Sequence, residues 1–248
     1  MVHTAINLYT VRDAAHGTLD LLERVSDAGY DGAELAYEFV DAEPTAVRSK
    51  LDQMNLDCPA AHIEIGPLTN RTEAVIEWCS TVGVDTVVLP YLDAAHFDSA
   101  EAVTETASLV ESVAVPLKDA GFDFCYHNHD HELTSVSGEY ETALDLLAAE
   151  LETVDLELDV GWVQAAGHDP VTFLERHADH IDLVHAKDIV TATRTPVEAG
   201  TGDVDFKAIE VAVRDAGCSW AIYEHDSPSD PLDSLSHGAG FLSAWKKR

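Results

Sequence analysis

Basic side chains are scarce in this sequence: 14 Lys and Arg stand against 46 Asp and Glu in 248 residues, a formal net charge of −32 at pH 7. No basic footprint exists to neutralise phosphates, so neither nucleic acid nor an anionic membrane is an expected partner. The acids are spread along the chain and form no tail, which points to a solvated acidic surface of the kind suited to high salt. Cysteine is sparse too, and Cys58, Cys79, Cys125 and Cys218 include no C-x-x-C pair. That argues against a zinc ribbon and for buried free thiols in a reducing cytoplasm. No apolar run approaches the roughly 20 residues of a membrane helix. The opening "MVHTAINLYT" lacks the basic and apolar regions of a secretory leader, so a cytoplasmic protein is expected. Gly/Ser-rich linkers are missing, and one domain over 1–248 is the expectation. No strand is followed by G-x-G-x-x-G or G-x-x-x-x-G-K-[ST], which weakens the case for a doubly wound nucleotide-binding sheet.

What is present is a rhythm. "DAGYDGAEL" (27–35), "TVGVDTVVL" (81–89), "DAGFDFCYH" (119–127) and "DAGCSWAIY" (215–223) each place a glycine before a short strand-like run. Glycine just past a helix end takes the left-handed conformation that stops the helix, and the chain then enters a strand. "MNLDCPAAH" (54–62) is the same junction with Asn55 in the glycine's place. Such joints, repeated, mean alternating α/β units and a parallel sheet. Strand candidates fall at 3–9, 31–36, 57–63, 84–90, 122–128, 154–159, 181–187 and 219–225. The stretches between them have helical spacing: Leu19, Leu22 and Val25; Val103, Ala107, Val110 and Val113; Ile209, Ala212, Val213 and Ala216. Pro116 should kink or end the second of these. The length and the eight strand–helix units point to a single (β/α)₈ TIM barrel.

In such a barrel the chemistry lies at the C-terminal strand ends. Those ends carry Glu34, His62 and Glu64, then His127-Asn128-His129, Asp159, His185 and Lys187, and finally Glu224. Strand alternation places Ile181, Leu183, His185 and Lys187 on one face, and Asp155, Glu157 and Asp159 on another. Asp159, His185 and Glu224, from consecutive strands, would then converge. An Asp/His/Glu set of this kind suits one divalent ion: Mn²⁺, Mg²⁺, Co²⁺ or Zn²⁺. Each residue also has a plainer reading: Asp159 as a cap, His185 or His62 as a hydrogen-bonded core histidine, Glu224 as an ion-pair partner of Lys187. Arg12 would fork onto a substrate anion or pair with a neighbouring acid. Trp162 is a rim or core aromatic that would also meet a substrate.

At these residues the sequence resembles the sugar phosphate isomerase/epimerase group of the xylose-isomerase-like TIM barrels. The matching pieces are "LYTVRD" (8–13), "GYDGAEL" (29–35), "FCYHNHDHEL" (124–133), "LELDVGWVQAAGHDP" (156–170), "VHAKD" (184–188), "GTGDVDF" (200–206) and "WAIYEHD" (220–226). The resemblance implies a carbohydrate substrate and one metal held by Glu, Asp, His and Glu from the fifth to eighth strands. Asp159, His185 and Glu224 match the last three. Where many relatives read Glu-Asn-His this chain reads His127-Asn128-His129, so either His127 or Glu132 would be the fourth ligand. Asn128 and His129 join Arg12 and Trp162 as candidate substrate contacts.

The implied chemistry is proton transfer next to a carbonyl through an enediolate, as in a sugar or sugar phosphate isomerase or epimerase. Glu224 is the candidate base, and His62, Lys187, Glu132 and Glu34 are candidate proton donors or hydroxyl contacts. With His127 replacing a glutamate of the usual acid/base pair, β-elimination on a keto-inositol or 3-keto-glycoside is the alternative. An apurinic-site endonuclease conflicts with the net charge, an amidohydrolase would carry its H-x-H on the first strand, and a non-catalytic sugar-binding barrel and a homo-oligomer are left open.

Overall fold

The computed structural model describes residues 2–136, 138 and 140–247, apart from the side chains of Glu38 and Lys247. Eight parallel strands form the centre: β1 (His3–Asn7), β2 (Gly32–Glu34), β3 (Ala60–His62), β4 (Thr86–Leu89), β5 (Asp123–His127), β6 (Asp155–Asp159), β7 (Ile181–Ala186) and β8 (Trp220–Tyr223). Their order is β2-β1-β8-β7-β6-β5-β4-β3. Single bridges Gly32–Asp57 and Leu35–Ala61 join β2 to β3 and bring the two edges together. The architecture is an α/β TIM barrel, as the rhythm of the sequence implied. An antiparallel hairpin, Asp188–Val190 with Thr195–Val197, projects after β7. Among the described residues no helix is long and apolar enough to cross a membrane.

The junction glycines behave as their positions require. Gly29, Gly83, Gly121 and Gly217 take φ of +94°, +78°, +96° and +80°, and Asn55 takes +52°. Each stops a helix and turns the chain into the next strand. The helix Ala100–Asp119 runs one turn beyond Pro116, which cannot donate to Ser112 O, and ends there, near where the proline was expected to kink or end it.

Two apolar regions hold the barrel. The larger lies between the outer faces of the strands (Ile6, Val87, Phe124, Leu158, Val184) and the surrounding helices. The smaller plugs the barrel's interior with Ala5, Ala60, Val88, Cys125, Leu183 and Ile222, and Trp220 packs against it. A Cβ on Gly32 would meet Trp220 Cη2 at 3.1 Å and Asp57 O at 2.9 Å, so glycine is needed beside that plug. All four cysteines are free and buried, as expected.

Two helix- and strand-face expectations are corrected. Leu19 is 39% exposed, and Leu21 takes the buried place beside Leu22 and Val25. Ile181 does not share a face with Leu183: the β6–β7 register passes from Leu156–Ile181 to Glu157–Leu183, so Asp182 is an extra residue in the ladder. This bulge resets the alternation, leaving Leu183 inside the barrel and Ile181 in the outer core.

Candidate functional site

Above the interior plug, strand alternation aims polar residues inward from most of the strands. The deeper set is Asn7 (β1), Glu34 (β2), His62 (β3), His127 (β5), Glu157 (β6) and His185 (β7), all buried. Glu34 Oε2 accepts from Asn7 Nδ2 at 2.6 Å and lies 2.8 Å from His185 Nε2. Glu157 Oε2 lies 2.8 Å from His62 Nε2, 3.0 Å from His127 Nδ1 and 3.2 Å from His185 Nε2. Three imidazoles therefore converge on one carboxylate oxygen.

Closer to the mouth stand Asp159, Lys187, Glu224 and Asp226. Lys187 Nζ is 2.9 Å from Asp159 Oδ2, 2.8 Å from Glu224 Oε2 and 3.1 Å from Asp226 Oδ2. Its side chain is 1% exposed and passes 4.9 Å from the centre of the Trp162 ring. A Cβ on Gly161 would come within 2.8 Å of Lys187 O, so the glycine of "DVGW" gives Lys187 its room. His185 links the two sets, with Nδ1 2.9 Å from Glu224 Oε2.

Burial disfavours charge on every one of these groups, and the neighbours decide the outcome. For His62 burial is outweighed by Glu34 and Glu157, and its pKa rises to about 10. His185 is likewise pulled down by burial but held well above the ordinary value by Glu157, Glu34 and Glu224. His127 is pushed well below it by burial and the cationic groups around it. Lys187 resists burial through Asp159, Asp226 and Glu224 and stays protonated. Burial raises Asp159 to about 6, against the pull of Lys187, whereas Lys187 and His185 overcome burial to hold Glu224 well below the carboxylate range.

Asp159 fills both of its readings at once. Oδ1 accepts from Trp162 N at 3.0 Å and caps the helix Val160–Ala165, while Oδ2 faces Lys187. Asn128 is committed to the backbone of Asp159, accepting from its N at 2.9 Å and donating to its O at 3.3 Å. Glu132 is turned away from the histidines of the interior: it accepts from Tyr126 Oη at 2.6 Å and from His129 N at 2.9 Å, and so shapes the loop. His129 sits half-buried at the mouth, its ring 5.7 Å from that of Trp162. Arg12 donates to Tyr9 O at 2.8 Å and to Asp226 O at 2.6 Å. Its guanidinium also lies 3.8 Å from the centre of the Tyr9 ring and 4.0 Å from Asp13 Oδ2, and it does not line the cavity at the barrel's mouth.

Sequence reasoning singled out His62, His127, Asp159, His185, Lys187, Glu224 and Glu34, and the structure brings all seven into the barrel's interior. It adds Asn7 and Glu157 to the interior and Asp226 to the cavity wall beside Lys187. Glu157 was readable from alternation with Asp159; Asp226 follows Glu224 at the same spacing.

Among the described residues two groups have the mutual spacing a metal ion requires, with donor atoms within 4.8 Å of one another: His62, His127, Glu157 and His185, and His127, Asp159, His185 and Glu224. The second fits a divalent cation better. Asp159, Glu224 and Asp226 face one lysine, and the buried Asp159 Oδ2 and Asp226 Oδ2 accept no directed hydrogen bond. Mixed carboxylate and imidazole donors suit Zn²⁺, Mn²⁺ or Co²⁺. The mouth opens into a cavity of about 790 Å³ whose lining includes His62, His127, His129, Glu224 and Asp226.

Comparison with known proteins agrees with this architecture. The inosose dehydratase of Lacticaseibacillus casei is 22% identical over 264 aligned positions, covering 90% of this chain and 88% of that one. A sugar phosphate isomerase/epimerase from Parabacteroides distasonis superposes with a TM-score of 0.83 at 18% identity, covering 98% of this chain and 94% of that chain. The IolI protein, solved with a bound zinc atom, superposes with a TM-score of 0.81 at 18% identity, covering 99% of each chain. The family model described as the xylose isomerase-like TIM barrel matches residues 22–245. With eight parallel strands, polar side chains gathered at their C-terminal ends and a family match spanning nearly the whole chain, this protein belongs to the xylose isomerase-like TIM barrel family.

Proposed function

We propose that this protein is a divalent-metal-dependent enzyme that moves a proton next to the carbonyl of a sugar, an isomerase or epimerase in outcome. The observation that carries the reading is the convergence of Asp159, Glu224 and Asp226 on a single lysine, with Glu224 and Asp226 also lining an open cavity. His127, Asp159, His185 and Glu224 would hold the ion, His185 giving up its proton to do so, and the ion when bound would stabilise oxyanion charge developing on the substrate.

The chain's own residues do the rest. Glu224, kept ionised by Lys187 and His185, is the base for the α-proton. Lys187, kept protonated, is the acid that returns a proton to oxygen or carbon. Asn128 fixes the backbone of Asp159, and His129 with Trp162 borders the substrate's approach. Glu224 and Lys187 are 2.8 Å apart, so removal and return of a proton would occur on one face. That arrangement favours transfer between neighbouring carbons over inversion at one carbon, which needs groups on opposite faces.

Dehydration is the second reading, and the same short separation supports it: Glu224 would take the proton while Lys187 protonates a departing β-hydroxyl. The inosose dehydratase relative points the same way. Incubating the metal-loaded protein with ketoses, keto-inositols and 3-keto-glycosides in D₂O separates the outcomes. Deuterium wash-in with no loss of water indicates isomerisation, and an unsaturated product indicates dehydration. Absence of both across the panel removes the proposal.

A further inference from the structure

The cavity is far larger than its polar floor. At about 790 Å³ it lies in the upper part of the ~300–1,000 Å³ range of small-molecule sites. On the side of β2–β4 its wall is made by Ala36, Tyr37, Val40, Val75, Trp78 and Tyr91. Aromatic residues make up 7% of the sequence, so three of them on one wall is a concentration. Tyr37 is held at φ +57°, a conformation a bulky side chain rarely takes, and is 54% exposed. The Tyr9 ring lies edge-on to it at 5.9 Å. Trp78 is anchored by Nε1 donating to Ala42 O at 3.1 Å, which leaves its ring against the cavity.

Nothing comparable is offered to a phosphate. The glycine loop at 200–203 would be the natural cradle, but its amides are taken. The fully buried Asp188 accepts from Gly200 N, Gly202 N and Ile189 N at 2.8 Å each, and from Val204 N at 3.2 Å. Arg12 is held by the carbonyl oxygens of Tyr9 and Asp226 and does not line the cavity. Among the described residues that line the cavity, the cationic side chains are the exposed Arg71 and the buried His62, against four acids: Asp41, Glu64, Glu224 and Asp226. A phosphate dianion would enter a field of its own sign.

We infer that the substrate is an unphosphorylated sugar bearing an apolar ring or short alkyl group, with the sugar over the polar floor and the apolar group against Tyr37, Val40, Trp78 and Tyr91. This rests on the reading of the floor as a sugar site and names the substrate class for it. Burial of one aromatic ring is worth about tenfold to a hundredfold in affinity.

The experiment is calorimetric titration of the metal-loaded protein with matched methyl and phenyl glycosides of common hexoses, and with the corresponding hexose 6-phosphates. The phenyl member of the best pair should bind at least about tenfold tighter than the methyl member, and the phosphate more weakly than both. Ala74 is exposed on the helix Thr72–Val82 and lines the cavity, so Ala74→Trp fills the compartment without touching the floor. It should erase the phenyl advantage and leave methyl glycoside binding unchanged. Equal affinity within every pair, tighter binding of a phosphate, a phenyl advantage that survives Ala74→Trp, or no binding of any glycoside overturns the inference. A phenyl preference without proton exchange in D₂O would sustain the compartment and remove the proposed chemistry. Proton exchange on free sugars without a phenyl preference would do the reverse.

Discussion

The barrel's interior holds two polar layers that share His127 and His185 and differ in how their charge is closed. In the deep layer Glu34 and Glu157 face His62 and His185, both held protonated, so two anions meet two cations. In the mouth layer Asp159, Glu224 and Asp226 meet one ammonium of their own, that of Lys187, and share His185 with the deep layer through Glu224. Apart from Asp226, whose side chain is 22% exposed, both layers are buried, and unpaired charge is expensive there. A layer that balances itself is a scaffold. One that does not is waiting for a cation, and this distinguishes the two spacings that would otherwise seem equally able to hold a metal.

Breaking the mouth layer should have the largest effect. Asp159→Ala should weaken metal affinity by more than the ~100-fold typical of losing a mere supporting residue, and should abolish turnover while the circular dichroism stays native. Full metal content by elemental analysis in that variant would refute the assignment of the ion to the mouth. Lys187→Met should lower turnover by about a hundredfold or more, yet bind the metal more tightly, because the competing cation is gone. Weaker metal binding would show that Lys187 organises the ligands instead of competing with the ion.

Breaking the deep layer should register in stability. Glu157→Ala leaves His62, His127 and His185 without their common partner and should cost about 3–5 kcal/mol in urea unfolding. If it instead keeps its stability and loses its metal, the ion belongs to the deep histidines and the comparison is inverted.

The smallest effect is a pH dependence that separates the layers. His62, raised to about 10 in the folded protein, contributes stability that is complete below its unfolded value near 6.5 and is lost as pH rises through about 10. Asp159, raised from 3.8 to about 6, favours the folded state while it is protonated, and that contribution is lost as pH rises through about 6. Thermal melts of metal-free protein should therefore fall in two windows. Added metal should remove the lower one, because the ion stabilises the ionised carboxylate.

The barrel was legible in the sequence because its punctuation is local: Gly29, Asn55, Gly83, Gly121 and Gly217 each mark a helix-to-strand joint by their own backbone needs. Asp159, His185 and Glu224 were legible because they end successive strands. Glu157 was harder to weigh, since an acid on an alternating strand resembles a solvated face until the opposite strands bring three histidines to it. The bulge at Asp182 left no signal in the hydrophobic pattern, as Ile181 and Leu183 are both apolar and only their surroundings differ. Glu132 falls in a histidine-rich stretch, yet a tyrosine hydroxyl on the far face of β5 claims it.

The plug built by Trp220 and the six small and branched residues beside it closes the far end of the barrel. The cavity is thus a cul-de-sac: whatever enters must leave by the same door, and the released molecule stands in the path of the next arrival. Substrate and product would exclude one another strictly, so product inhibition should be competitive, and the pace of repeated cycles would depend on clearing the entrance as much as on events at the floor.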